Sequence, residues 1–358
     1  MNKELRDPQV VGKLLSKIES LLAEPVTIME VCGTHTMAVF RHGLKNMLPE
    51  QLKLLSGPGC PVCVTSDYVI DTALEIAKQP GVLLATFGDM LRVPGSSGSL
   101  ATLKAAGANV KVVYSPLEAV KLAEENPYQE VVFFAIGFET TAPMIAASVL
   151  TAQQKKITNF SIVGANKTIP GALRALLSSE ELQVDGLLCP GHVSAIIGTE
   201  PYQFIPRELG IGAVVTGFEP VDILQGIYML LKQIQEDSPS VEIQYRRWVS
   251  ASGNPQALKM MEQVFAADGA HWRGLGYLPG TGLTLRQQYR QFDAVWRFNI
   301  TIEEKPTKKG CRCGDVLRGV ITPLECPLFA TACVPEKPAG ACMVSPEGTC
   351  AAYYKYGR

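Results

Sequence analysis

Ten cysteines are spread unevenly along the 358 residues: Cys32, Cys60 and Cys63 lie in the first fifth, Cys189 stands alone, and six fall between Cys311 and Cys350. Clustered thiols in a chain with no mark of export point to metal binding or redox chemistry before structural disulfides. Cys60-Pro61-Val62-Cys63 follows the turn-forming Gly57-Pro58-Gly59 and stands where a helix would begin. Unpaired N–H groups and the dipole at a helix start favour a thiolate, and two thiols three positions apart can close a disulfide or hold a soft metal. A buried structural pair is the plainer alternative. Cys32-Gly33-Thr34-His35 sets a thiol and an imidazole three positions apart. The ring can orient the thiol, take its proton or hold a ligand; against this stands a buried cysteine beside a satisfied histidine.

The C-terminal run reads Cys311-x-Cys313, then Cys326, Cys333, Cys342 and Cys350, in loops rich in proline and glycine. Such loops let four thiolates converge on one centre. Zinc favours paired C-x-x-C knuckles, which this run lacks, so an iron–sulfur cluster ranks above structural zinc, and bare disulfides rank third. Four ligands suffice, so two of the six are surplus, and spacing does not say which. Glu139, in Gly137-Phe138-Glu139-Thr140-Thr141-Ala142-Pro143, and His192, after Pro190-Gly191, are candidate proton carriers. A helix cap is an equal reading of Glu139. Asp89 and Glu219 read as loop or cap residues, and Cys189 as a small buried residue. The glycine-rich loop at 94–98 lacks the Gly-Lys-Ser/Thr of a phosphate loop.

The elements around these residues alternate short apolar runs with helical patterns, the mark of parallel α/β structure. A helical stripe (Val10, Val11, Leu14, Leu15, Ile18, Leu21, Leu22) precedes an apolar run at 26–31 that ends at Cys32. A run at 52–55 precedes Cys60, and one at 82–86 precedes Phe87-Gly88-Asp89. The series then recurs. The run at 131–136 leads to Gly137-Phe138-Glu139, Leu187-Leu188 to Cys189-Pro190-Gly191-His192, and 214–216 to Gly217-Phe218-Glu219, with an extra strand–helix unit around 162–177. The recurrence predicts two similar parallel-sheet α/β domains, 24–128 and 129–238. Ligands gather at the carboxyl ends of such strands. Facing domains would therefore bring Cys32, His35, Cys60 and Cys63 toward Glu139 and His192 across a cleft. Residues 239–358, with helical patterns at 256–267 and 285–293, predict a smaller third domain that holds the cluster, with 1–23 packed on it.

Hydrophobic residues make up 47% and charged residues 19%, enough for more than one core. A net charge of −1 implies no basic face, which argues against nucleic-acid binding. The apolar runs are too short to span a bilayer. Glu4, Asp7 and Pro8 stand where a signal peptide needs an apolar core. The expectation is a cytoplasmic protein without membrane association.

The motifs Cys32-Gly33-Thr34-His35, Gly57-Pro58-Gly59-Cys60-Pro61-Val62-Cys63, Gly137-Phe138-Glu139-Thr140-Thr141-Ala142-Pro143 and the terminal cysteine run occur in this order over nearly the whole chain. Together they resemble the HypD family of [NiFe]-hydrogenase maturation proteins. The resemblance implies two Rossmann-like domains and a third domain holding a [4Fe–4S] cluster. It implies a redox-active scaffold, not a conventional turnover enzyme, that works with the small chaperone HypC. On that scaffold iron acquires cyanide and carbon monoxide as an Fe(CN)2CO unit, the cyanide coming from a thiocyanate on HypE, loaded by HypF. Carried over residue by residue, Cys32 is a ligand of that iron, and His35 positions the site or moves protons. Cys60 and Cys63 cycle between dithiol and disulfide. Cys311, Cys326, Cys333 and Cys350 hold the cluster, leaving Cys313 and Cys342 as a pair. The HypC contact is expected at the cleft mouth, near Met37, Val39 and Phe40. A stand-alone iron–sulfur thiol–disulfide reductase is the alternative, and it has no use for Cys32. A zinc-stabilised binding module is the third reading.

Overall fold

The computed structural model describes residues 4–179, 182–303 and 310–357. Among them run eleven strands: β1 (Val26–Glu30), β2 (Leu52–Ser56), β3 (Val82–Thr86), β4 (Val110–Val112), β5 (Glu130–Gly137), β6 (Phe160–Asn166), β7 (Gly186–Pro190), β8 (Gly212–Thr216), β9 (Val241–Ile243), β10 (Phe265–Trp272) and β11 (Gly276–Leu285). Two sheets are wholly parallel, one ordered β2-β1-β7-β8-β9 and the other β4-β3-β5-β6, while β10 and β11 form an antiparallel ribbon. Strands β3, β7 and β8 are buried along their whole length. That is why they read as continuous apolar runs and not as alternating ones.

The layers follow from the alternation of side chains. Ile28 of β1 faces helices Pro8–Leu21 and Pro220–Gln235 in one apolar cluster. Met29, one residue on, faces the opposite way into a core shared with Leu84, Val132 and Phe134 of the second sheet. The outer face of that sheet, through Leu83, Val131 and Phe133, is covered by helices Pro116–Glu125, Ala142–Gln154 and Pro255–Val264. Two sheets thus share one apolar layer, with helices outside both.

This pairing differs from the expected sequential division at 24–128 and 129–238. Each of those halves gives two strands to each sheet: β1 and β2 join β7 and β8, whereas β3 and β4 join β5 and β6. The chain leaves the first sheet after β2 through helices Pro61–Val64 and Asp67–Ala77, and returns after β6 through helix Ile169–Leu177. Strand-forming patterns mark where strands occur, and they carry no signal of which strands become neighbours.

Residues 239–358 likewise do not form the single block that the sequence suggested. β9 extends the first sheet, helix Pro255–Val264 packs on helix Ala142–Gln154, and the β10–β11 ribbon packs against β6 and helix Ile169–Leu177. The helical pattern expected to reach 267 stops at Val264, where β10 begins. The cysteine-bearing segment ends in helix Thr349–Tyr356, which packs on helix Gly33–Arg41, while helix Ala341–Val344 packs on helix Pro61–Val64. Helix Pro8–Leu21, capped by Asp7, buries Val11, Leu14 and Ile18 against helix Pro220–Gln235 instead of against the C-terminal region. Its stripe completes the apolar face left open by the first sheet. No helix among the described residues is long and apolar enough to cross a membrane.

Candidate functional site

In the first sheet the strand order reverses between β1 and β7, because β2 lies to one side and β8 to the other. Connections leaving such a point diverge and open a crevice at the carboxyl ends of the strands. Cys32 follows β1 and His192 follows β7 at this position. The crevice is a cleft of about 610 Å³ lined by Cys32, Thr34, His192, Tyr245, Trp248 and Glu347, and by Phe138, Thr140 and Thr141 from the second sheet. Trp248 is 68% exposed at its edge.

Cys32 caps helix Gly33–Arg41 with its backbone, and its N–H donates to Glu30 Oε2 at 3.2 Å. Glu30 also accepts from the Thr36 hydroxyl. Two effects act on the Cys32 thiol in opposite directions. A helix N-terminus stabilises a thiolate by up to ~2 kcal/mol. Burial, aided by the negative charges of Glu347 and Glu30, pushes the thiol from 9.0 up to about 12, which is worth roughly 4 kcal/mol. Burial wins, so Cys32 is a thiol at neutral pH. Glu347 reaches the cleft from the C-terminal segment, where it accepts from Thr34 Oγ1 at 2.8 Å.

His35 is fully buried, and its Nε2–H donates to Gly217 O at 2.9 Å, with Thr216 Oγ1 at 3.0 Å. Burial lowers it to about 4, so the ring is neutral and pins the loop after β8. Its Nδ1 has no partner. That loop presents Phe218, which lies between two imidazoles: its ring centroid is 4.8 Å from that of His35 and 4.0 Å from that of His192. His192 is itself exposed in the cleft and is shifted downward by partial desolvation.

Cys60 and Cys63 sit behind the cleft wall formed by Gly59 and Pro61, both of them buried. Gly59 is required there, because a Cβ would overlap the Val31 carbonyl carbon and the Cys32 backbone. The helix expected to acidify the pair is only Pro61–Val64, so its dipole is small; what remains is one hydrogen bond, from Cys63 N–H to Cys60 Sγ at 3.2 Å. Burial raises the Cys63 thiol well above its usual value.

The C-terminal thiols gather next to this turn. Cys63 contacts Cys342, which also contacts Cys313 and Cys350. Hydrogen bonds from Cys313, Cys350 and Cys63 hold Cys342 well below the ordinary thiol range. Cys311 Sγ lies 3.2 Å from Cys313 Sγ, and Cys333 Sγ accepts from Ala339 N–H at 3.2 Å. Cys326 is half-buried at the start of a turn, and its carbonyl accepts from Phe329 N–H while Cys333 N–H closes the turn onto Leu328 O. Gly340 leaves an open cradle: a Cβ there would stand 2.8 Å from Cys311 Sγ and would overlap Cys313 Sγ. Soft donors around a side-chain-free backbone suit an iron–sulfur cluster. Among the described residues no three His, Cys, Asp or Glu side chains stand at preformed metal-ligand positions; several of these thiols contact one another.

Glu139 lies outside the cleft lining, 2% exposed, with Oε1 accepting from Ile169 N–H at 3.0 Å and Oε2 unpartnered. Burial raises it to about 7. Val39 and Phe40, expected at a docking surface, are buried instead, Val39 beneath the first sheet's helices and Phe40 against Tyr353. Glu30 and Glu347 carried no motif signal, although Glu30 is the last residue of β1; Phe218 was marked only as part of the Gly217-Phe218-Glu219 station, two positions after β8.

The chain matches the family model described as "HypD: Hydrogenase formation hypA family" over residues 9–357. It is 44% identical to hydrogenase maturation factor HypD2 of Bradyrhizobium diazoefficiens, covering 99% of this chain and 96% of that protein. It is 44% identical to hydrogenase maturation factor HypD of Azotobacter vinelandii, with the same coverage. It is 45% identical to HypD of Escherichia coli, covering 99% and 97%. With the family model matched over residues 9–357 and these relatives 44–45% identical over 99% of its length, the chain belongs to the HypD family.

Proposed function

We propose that this chain is a hydrogenase maturation factor that serves, with a HypC-type chaperone, as the scaffold on which iron receives cyanide and carbon monoxide. The observation that carries this is the placement of Cys32 in an open cleft at the switch point, with the C-x-x-C directly behind its wall. Iron is the cargo. Cys32 would bind it as a thiolate, and the second thiolate would come from the chaperone. His35 holds the loop that carries Phe218, and Phe218 in turn orients His192 toward the cleft.

Release of cyanide from a thiocyanate on the HypE-type donor consumes two electrons. The Cys60 and Cys63 thiols supply them as they form a disulfide: the sulfur–cyanide bond breaks, cyanide passes to iron, and the two thiol protons are left. One protonates the donor thiolate, and His192 or the bulk takes the other. Cys342 touches both Cys63 and Cys313. Its lowered thiol is suited to attack the Cys60–Cys63 disulfide, leaving a Cys313–Cys342 disulfide and the restored dithiol. A [4Fe–4S] cluster held by Cys311, Cys326, Cys333 and Cys350 would supply single electrons to that pair.

Replacing Cys32 by alanine in the chain purified anaerobically with its chaperone tests the proposal. The scaffold role predicts loss of bound cyanide and of non-cluster iron, while Cys60 and Cys63 stay reducible. Retention of cyanide at the parent level would shift the assignment to a stand-alone thiol–disulfide reductase.

A further inference from the structure

The residues after β10 lie between the C-x-x-C turn and the C-terminal cysteines. Arg273 N–H donates to Val64 O at 2.9 Å, Arg273 Nε to Thr65 O at 3.0 Å, and Arg273 Nη2 to Asp67 Oδ1 at 2.8 Å. Thr65 and Trp272 also pair as an antiparallel bridge. The end of β10 is thus joined to the residues directly after Cys63. On the other side Gly274 packs backbone to backbone on Gly314, the residue after Cys313, so closely that a Cβ on Gly274 would overlap Gly314 Cα. The Arg273 side chain is only 6% exposed. Its charge reaches Cys311, Cys313 and Cys342.

We propose that Arg273 is a positioning and charge-setting residue that fixes the C-x-x-C turn beside the C-terminal thiols and raises the reduction potential of the centre they hold. The inference rests on the cluster reading above. A guanidinium cannot lose its proton inside a protein, so the charge is permanent, and in a poorly polarisable interior it acts over a longer range than at the surface. One-electron reduction of a thiolate-ligated iron–sulfur centre adds a negative charge and breaks no bond. A fixed cation stabilises the added charge, and net charge and hydrogen bonding are the levers that set such potentials. Asp67, the ion-pair partner, opposes it. Lys167, whose amine lies 5.7 Å from the Trp272 ring centroid, is a second cation near Arg273; burial first, then Arg273, lowers it to about 8. It therefore responds to Arg273 without replacing it.

The two members of the pair must shift the potential in opposite directions, which a merely structural role would not produce. The parent, R273K, R273Q, D67N and the double variant D67N/R273Q are purified anaerobically with the cluster loaded and titrated with dithionite under optical and paramagnetic-resonance detection. R273Q should be harder to reduce: at the parent's midpoint its reduced-to-oxidised ratio should fall about tenfold, a shift of about 59 mV for one electron. D67N should shift the other way, and R273K should stay near the parent. The double variant, which leaves no unpaired charge, covers the case in which R273Q does not fold, and it too should be harder to reduce than D67N. Equal midpoints in all folded variants, or shifts of the same sign in R273Q and D67N, would overturn the proposal alone. A parent without an iron–sulfur chromophore would overturn the cluster reading, and this inference with it.

Discussion

Replacing Glu139 by glutamine should remove a pH-dependent loss of stability. In the folded protein the Glu139 carboxyl sits at about 7, against the usual 4.5, because burial penalises its charge. Between these values the folded chain holds a proton that the unfolded chain has released, so stability falls as pH rises. The contribution is complete below 4.5 and is lost as pH rises through 7. The gap of 2.5 pH units corresponds to roughly 3 kcal/mol at 1.36 kcal/mol per unit, a large share of a typical domain's stability. Glutamine keeps an oxygen for the Ile169 N–H and never ionises. The stability of E139Q relative to the parent should therefore rise by about 3 kcal/mol between roughly pH 4.5 and pH 8. Urea unfolding of both proteins under reducing, anaerobic conditions measures this. Glu30 and the histidines titrate in both chains and cancel in the difference. A difference that stays flat to within about 0.5 kcal/mol across that range would refute the assignment of a buried carboxyl with one unpartnered oxygen.

Three further outcomes follow from the site geometry. G59A forces a Cβ against the Val31 and Cys32 backbone, which cannot swing aside as a side chain would; it should cost about 1–3 kcal/mol or more and speed alkylation of Cys32, and a parent-like urea midpoint would contradict this. C342S removes the thiol between Cys63 and Cys313; re-reduction of an oxidised Cys60–Cys63 pair by electrons delivered to the C-terminal cysteines should slow by about an order of magnitude or more, whereas a parent rate would mean that the path bypasses Cys342. F218L removes a ring contact worth about 0.5–1.5 kcal/mol and opens His192 to water; the His192 titration followed by nuclear magnetic resonance should move up toward the ordinary imidazole value, and an unmoved midpoint would show that Phe218 does not shield it.

The strand-end placement of the candidate site residues was legible because it resides in residue type and short spacing. Cys32, Cys60, Cys63 and His192 each stand one to eight positions after an apolar run, and in a parallel sheet that position is the carboxyl end of a strand. The recurrence of these stations correctly marked strand ends. It did not mark neighbours: β1 pairs with β7, far away in sequence, and that choice depends on which faces fit together in the shared layer around Met29, Leu187 and Phe134. For the same reason the cleft's acidic wall was missed. Glu347 comes from the opposite end of the chain and reaches Cys32 only because helix Thr349–Tyr356 docks on helix Gly33–Arg41. Val39 and Phe40 looked like an exposed apolar patch beside Cys32, but helical periodicity turns Val39 under the first sheet's helices and Phe40 onto Tyr353. The acidity expected of the C-x-x-C rested on a helix that proves to be four residues long, so burial dominates there.

The central claim, that Cys32 holds the iron on which the diatomic ligands are placed, is tested most directly by infrared spectroscopy of the anaerobically purified protein co-expressed with its HypC-type partner. Carbon monoxide and cyanide bound to iron stretch in a window clear of protein bands, and soft thiolates retain such iron. The account predicts one carbon monoxide band and two cyanide bands in the parent, all absent from C32A. An empty window in a partner-bound, cluster-loaded parent, or an unchanged set of bands in C32A, would contradict it.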